Sequence, residues 1–373
     1  MDAILIANID LARDMWTPIG GASAPFEGSF DGNGKTIYIG DQTVDHDFFA
    51  VFGYTLGADI EDLTVRGSFD IATKVGYVAA IVGQASGGSI KGCNSYVDIR
   101  FASTEAEGSY KIAGIAGGLY AANEEGCAVS RCANYGDIIV NGALECVAGI
   151  AGYSNELNSI VNCANYGSII ATGAGYVAGI LGYVNNASFG GLTNCFNSGG
   201  ISGSDMTVEG VEIKPADIIG WARDFANGTI NNNYFTGTTP YGAVRSDKTA
   251  EAIFVSSDSV LSGEAAYLLQ GEQTEHVWGQ TIGTDSYPIL AGEQVYMDED
   301  GSYYNTQAIS GDVDGDGVVT NADVLMIFRY IYNSDIYPLD SEIGDVDNDG
   351  LITNADVLMI YRHIYNPTLY PLG

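Results

Sequence analysis

Carboxylates recur at short, regular intervals in two stretches near the C-terminus: GDVDGDGVVTNADVLMIFRYIYN from Gly311 and GDVDNDGLITNADVLMIYRHIYN from Gly344. They lie 33 residues apart and agree at 18 of 23 positions. In the first, Asp312, Asp314 and Asp316 alternate along the chain, Gly317 follows, and Asp323 stands twelfth. Alternate side chains can aim their oxygens at one point, and the glycine permits a sharp turn. The seventh residue, Val318, offers its carbonyl, and Thr320, the ninth, acts directly or through water. The twelfth carboxylate closes the shell, which is the chemistry of a calcium loop. The second stretch repeats each role with Asp345, Asp347, Asp349, Gly350, Leu351, Thr353 and Asp356. Four carboxylates so close repel one another without a cation, so each loop is expected to order when calcium arrives, two ions in all.

These loops need elements to hold them. After Asp323, Val324, Ile327, Phe328 and Ile331 fall on one helical face. Both loops end in Asp where EF-hands usually have Glu, and each is followed by one clear helix. A loop with an exit helix, used twice, resembles the type I dockerin of cellulosome-type assemblies, over residues 310–373. The resemblance implies a small all-α calcium-binding domain whose partner is a cohesin module on a scaffoldin. It implies recognition at loop positions ten and eleven, here Asn321, Ala322, Asn354 and Ala355. Helix positions Phe328, Arg329, Tyr361 and Arg362 are expected to contribute. Near-identical halves could present one surface in two orientations. IYPLD and LYPLG, which follow the two helices, are expected to pack the ends.

The 373 residues suffice for two or three domains, and 50 glycines against 8 prolines argue for many tight turns. A net charge of −33 makes nucleic acid or an anionic membrane surface an unfavourable partner. No apolar run is long enough for membrane insertion, and no secretory signal is visible. A dockerin nonetheless implies a secreted protein of a bacterial extracellular or cell-surface complex, with Met1 marking a trimmed start.

Residues 1–240 repeat more loosely. Leu63, Cys93, Cys132, Cys163, Cys195 and Asn233 each follow, by three residues, an apolar position: Ile60, Ile90, Val129, Ile160, Leu192 and Ile230. A second motif interleaves, from FFAVFGY to PADIIGWA, with Gly53, Gly83, Gly117, Gly152, Gly182 and Gly220 read as corners. A period near 30 with short apolar strands requires a solenoid, here a right-handed parallel β-helix of about seven coils. Like residues should stack about 4.8 Å apart. The cysteines then form a buried row of free thiols, and Asn134, Asn165 and Asn197 an amide row. The repeats resemble GLUG-type repeats of bacterial surface and secreted proteins, a likeness that concerns architecture. Residues 241–309 are expected to cap the solenoid and connect it to the dockerin.

For chemistry on the β-helix, Asp98 and Asp137 would stack on adjacent coils, about 5 Å apart as a retaining glycosidase requires, although a ladder of turn acids is the simpler reading. Tyr54, Tyr153, Tyr183 and Trp221 follow the repeated glycine and could stack on sugar rings. Twelve Lys and Arg in the first 300 residues show no cluster of the kind a polysaccharide lyase needs. The expectation is a non-catalytic binding or adhesion module, with a lyase or glycoside hydrolase as the alternative.

Overall fold

The computed structural model describes all residues except 1, 13, 45–46, 72–75, 103–109, 186–187, 204–205, 209–210, 214, 223–228, 238–251, 272, 293–294, 296–302, 304–309, 315–317, 335, 340, 348 and 373. Short strands of successive coils pair in parallel to form an eight-stranded, a six-stranded and a fifteen-stranded sheet. The protein is thus mainly β, a parallel solenoid of about six turns with one strand per turn in the six-stranded sheet, followed by a small helical region.

The repeated apolar positions are rungs of one ladder. Ile60 registers with Ile90, Ile90 with Val129, then Ile160, Leu192 and Ile230, all buried. Burying such a side chain is worth about 1.5–3 kcal/mol, and the ladder repeats it on every coil. The coil between Cys195 and Asn233 takes up surplus length in an antiparallel hairpin, Met206–Val208 with Val211–Ile213.

The repeated glycines are not corners. Gly152 lies within the strand Ala151–Ser154, and a Cβ there would come 2.7 Å from the Gly117 carbonyl oxygen. The same clash recurs at 2.5–2.6 Å for Gly83, Gly117, Gly182 and Gly220 against the glycine one coil earlier. Close approach of backbones therefore explains this column. The corners lie one residue before the cysteine column, where Asp62, Gly92, Arg131, Asn162, Asn194 and Asn232 all take left-handed backbone, φ 50–65°.

All six cysteines are free and buried. Each column thiol donates to two carbonyls; Cys163 Sγ lies 3.4 Å from the Val161 oxygen and 3.8 Å from that of Val129. Burial pushes the Cys93, Cys132 and Cys163 thiols upward, and that of Cys127 to about 12. The amide row is likewise present. Asn134 Nδ2 donates to Asn165 Oδ1 at 2.9 Å, and Asn165 Nδ2 to Asn197 Oδ1 at 2.8 Å. Because every amide points the same way, the row must end on an acceptor, which is Asp217 Oδ1 at 2.9 Å. Burial raises the Asp217 carboxyl to about 6, opposed by the hydrogen bond from Asn197.

The segment after the coils adds a strand, Ala252–Phe254, to the last rung. Helices α1 (Ser257–Leu261) and α2 (Glu264–Gln270) follow. This segment then packs along the flank, where Val260, Leu269 and Trp278 cover the outward row Ala133, Ala164, Phe196 and Tyr234. Trp278 Nε1 donates to Asn162 Oδ1, Asn162 Nδ2 to Gln273 Oε1, and the Tyr166 hydroxyl to the Pro288 carbonyl. Tyr287 extends a stack of Tyr96, Tyr135 and Tyr166 with centroids 4.3–4.8 Å apart. The Tyr of CNSY and CANYG was the sequence signal for this stack.

Candidate functional site

In the C-terminal module α3 (Asn321–Tyr332) packs against α5 (Asn354–Tyr365), with a single turn, α4 (Ser341–Gly344), between them in sequence. The core is Ile327, Val346, Val357 and Ile360. Each helix begins with a capping box that uses the twelfth loop residue. Thr320 Oγ1 accepts from the Ala322 amide, and Asp323 Oδ2 accepts from the Thr320 amide at 2.6 Å. Thr353 and Asp356 repeat this. The carboxylate expected to close the loop thus also starts the helix, and the threonine hydroxyls serve the caps.

Carboxylate oxygens of Asp312, Asp314 and Asp323 lie within 4.8 Å of one another, as do those of Asp345, Asp347 and Asp349. Asp312, Asp323 and Asp356 are buried. In the second loop Asp356 Oδ1 accepts from the Val346 and Asp347 amides, so it is tied to the loop without joining the cluster of three. Desolvation, then the charges of Asp356, Asp349 and Asp345, pushes the Asp347 carboxyl upward. Convergent carboxylates, buried at Asp312 and Asp323 in the first loop and more open in the second, repel one another, and an all-oxygen donor set of this kind fits calcium. Val318 and Leu351, assigned to carbonyl ligation, keep exposed side chains. Asp316 and Gly317 lie outside the described residues.

An apolar groove of about 560 Å³ runs between α3 and α5. Val324, Leu325 and Phe328 line one side, Val357, Leu358 and Tyr361 the other, with Asn321 and Asn354. Every member has its counterpart 33 residues on. Leu325, Phe328, Leu358 and Tyr361 are about half exposed, an unusual density of apolar surface for so small a module. The groove brings together Asn321, Phe328, Asn354 and Tyr361, whereas Ala322, Arg329, Ala355 and Arg362 do not line it. Arg329 and Arg362 instead lie over the rings of Tyr337 and Tyr370, from IYPLD and LYPLG.

On the solenoid, Tyr153, Tyr183 and Trp221 do stack in register, but each is at most 8% exposed and packed against Tyr120, Tyr176 and Cys146. With Tyr54 half-buried, the row is not an open platform for sugar rings. Asp98 Oδ1 accepts from the Asp137 amide at 3.0 Å, and Asp137 Oδ1 from that of Ser168 at 2.8 Å. Asp98 Oδ2 also pairs with Arg100 at 3.2 Å. These acids tie coil to coil, as the simpler reading held. Arg66, Lys91 and Arg131, far apart in sequence and from three coils, line one cleft in which Asp62 is the one carboxylate.

Fold and site together define a parallel β-solenoid that carries a paired calcium-loop docking module. Residues 310–365 match the dockerin type I domain family, so the C-terminal module is a dockerin domain, of the kind that binds calcium and a cohesin. A crystal structure from Bacteroides ovatus, provisionally described as an immunoglobulin A1 protease, is similar at 21% identity, covering 78% of this chain and 86% of that one with a TM-score of 0.56. At that identity the likeness concerns the fold alone. The curated proteins contain no match. No helix among the described residues is long and apolar enough to cross a membrane.

Proposed function

We propose that this chain is a secreted component of a cellulosome-type complex. Its dockerin, loaded with two calcium ions, fastens it to a cohesin of a scaffoldin. Its solenoid, whose coils we read as GLUG-type repeats, serves as a non-catalytic binding or adhesion module with polysaccharide as the ligand class. The groove between α3 and α5 carries this reading, because an apolar surface built twice from the same residues suits a protein partner. Asp98 and Asp137 support the non-catalytic role of the solenoid, since each commits an oxygen to the next coil's backbone.

Calorimetric titration of the full chain with a panel of cohesins is the test. Saturable binding in calcium that vanishes in chelator is expected; no binding to any cohesin with both loops loaded would overturn the proposal.

A further inference from the structure

The geometry points to a ligand site that rests on the reading of the solenoid as a binding module and gives it a place and a chemistry. We infer that the cleft between the solenoid flank and residues 276–291 binds an acidic saccharide, its charge carried as carboxylate or sulfate.

The cleft, about 510 Å³, falls within the size range of small-ligand sites. Arg66 and Lys91 come from neighbouring coils: Arg66 registers with Tyr96, and Lys91 with Ser130, the residue before Arg131. Three of the chain's 14 basic residues therefore meet here, although its net charge is −33. Asp62 is the one carboxylate in the lining. Arg131 pairs with Glu275, whose carboxyl is held below its usual range chiefly by that hydrogen bond. Among the described residues neither Arg66 nor Lys91 has an ion pair, so a local positive excess remains.

Arg131 also departs from the preference of its own position. It sits at the left-handed corner, φ 53°, which later coils fill with asparagine. An ordinary side chain there costs about 1 kcal/mol more than Gly or Asn. The guanidinium thus stands at the cleft against the backbone's preference.

The remaining lining selects among anions. Arg66 lies 3.8 Å from the centroid of Tyr96, and the other face of Tyr96 stacks on Tyr135 at 4.4 Å. With both faces covered, Tyr96 offers a nucleic-acid base nothing to stack on. Thr36, Thr64 and Asn94 supply hydroxyl and amide groups suited to sugar hydroxyls, and His276, held by Nε2 on the Gly292 carbonyl at 2.9 Å, closes the wall.

The test titrates the full chain, at constant calcium and low salt, with galacturonate trisaccharide, a sulfated disaccharide, a neutral galactose trisaccharide and inorganic sulfate. Binding of either acidic saccharide, with the neutral one and sulfate at least tenfold weaker, is the expected result, and the ratio of the two acidic ligands identifies the anion. The double variant Lys91→Ala, Arg131→Asn should lower the association constant at least tenfold while its melting temperature holds or rises, since asparagine suits the corner. Arg66→Gln, away from that turn, should weaken binding independently. Acidic-saccharide binding unchanged in all three substitutions, or sulfate binding as tightly as the saccharides, would overturn the site. A neutral glycan bound equally by parent and double variant would also overturn it, yet leave the solenoid a binding module.

Discussion

At the scale of single residues, the fold depends on what is missing from side chains as much as on what they supply. Gly152→Ala should destabilise the solenoid by about 2–3 kcal/mol, because the added methyl meets a carbonyl of the adjacent coil that cannot move without disturbing its own ladder. Gly200→Ala, with nothing within 4 Å of its Cβ, should stay within about 0.5 kcal/mol. Denaturant melts of the two variants compare them directly; equal losses would disprove the close-approach explanation. Asp217 gives a pH dependence with a definite sign. Its folded carboxyl, near 6, lies above the unfolded value of about 3.9, so the folded state holds the proton more tightly. The stability this contributes is full below about pH 4 and is lost as the pH rises through 6, about 3 kcal/mol in all. Asp217→Asn should therefore stabilise the solenoid at pH 7.5 and leave it unchanged at pH 4. An equal effect at both pH values would rule out this titration.

At the scale of elements, the calcium loops and the helices they start share the same acids. Chelation should therefore remove the helical circular dichroism of α3 and α5 while the β signal persists; loss of the β signal too would reveal a metal site in the solenoid. If the paired groove allows two orientations, bulky acids at Asn321 and Ala322 should lower the cohesin association constant only twofold, about 0.4 kcal/mol. Acids at both pairs should abolish binding. Abolition by one pair alone, with calcium still bound in both loops, would mean a single working orientation. These loops and the apolar ladder from Ile60 to Ile230 were legible in the sequence because one residue type in one spacing performs one task. The corners were not, because Asp, Gly, Asn and, at a cost, Arg131 all occupy the left-handed position and leave no shared letter. The basic cleft was hidden for a different reason. Arg66, Lys91 and Arg131 occupy different repeat positions on different coils, and His276 arrives from the flank segment. Only the register brings them together.

At the scale of the whole molecule, the two parts should melt separately. A calorimetric scan is expected to show one transition that chelator lowers and another it leaves in place. Thiol reagent should label none of the six buried cysteines until the second; labelling with the first would couple the dockerin to the solenoid core. The flank segment has a mechanical consequence. A tethered solenoid under flow or traction receives its load through the chain entering the dockerin, and a parallel ladder pulled from its last rung would peel coil by coil. Here the tension first reaches residues 273–288, which are hydrogen-bonded to Asn162 and Tyr166 and stacked on the Tyr166 ring. Force therefore enters in mid-ladder, where several rungs share it in shear, and the terminal rung is relieved of it.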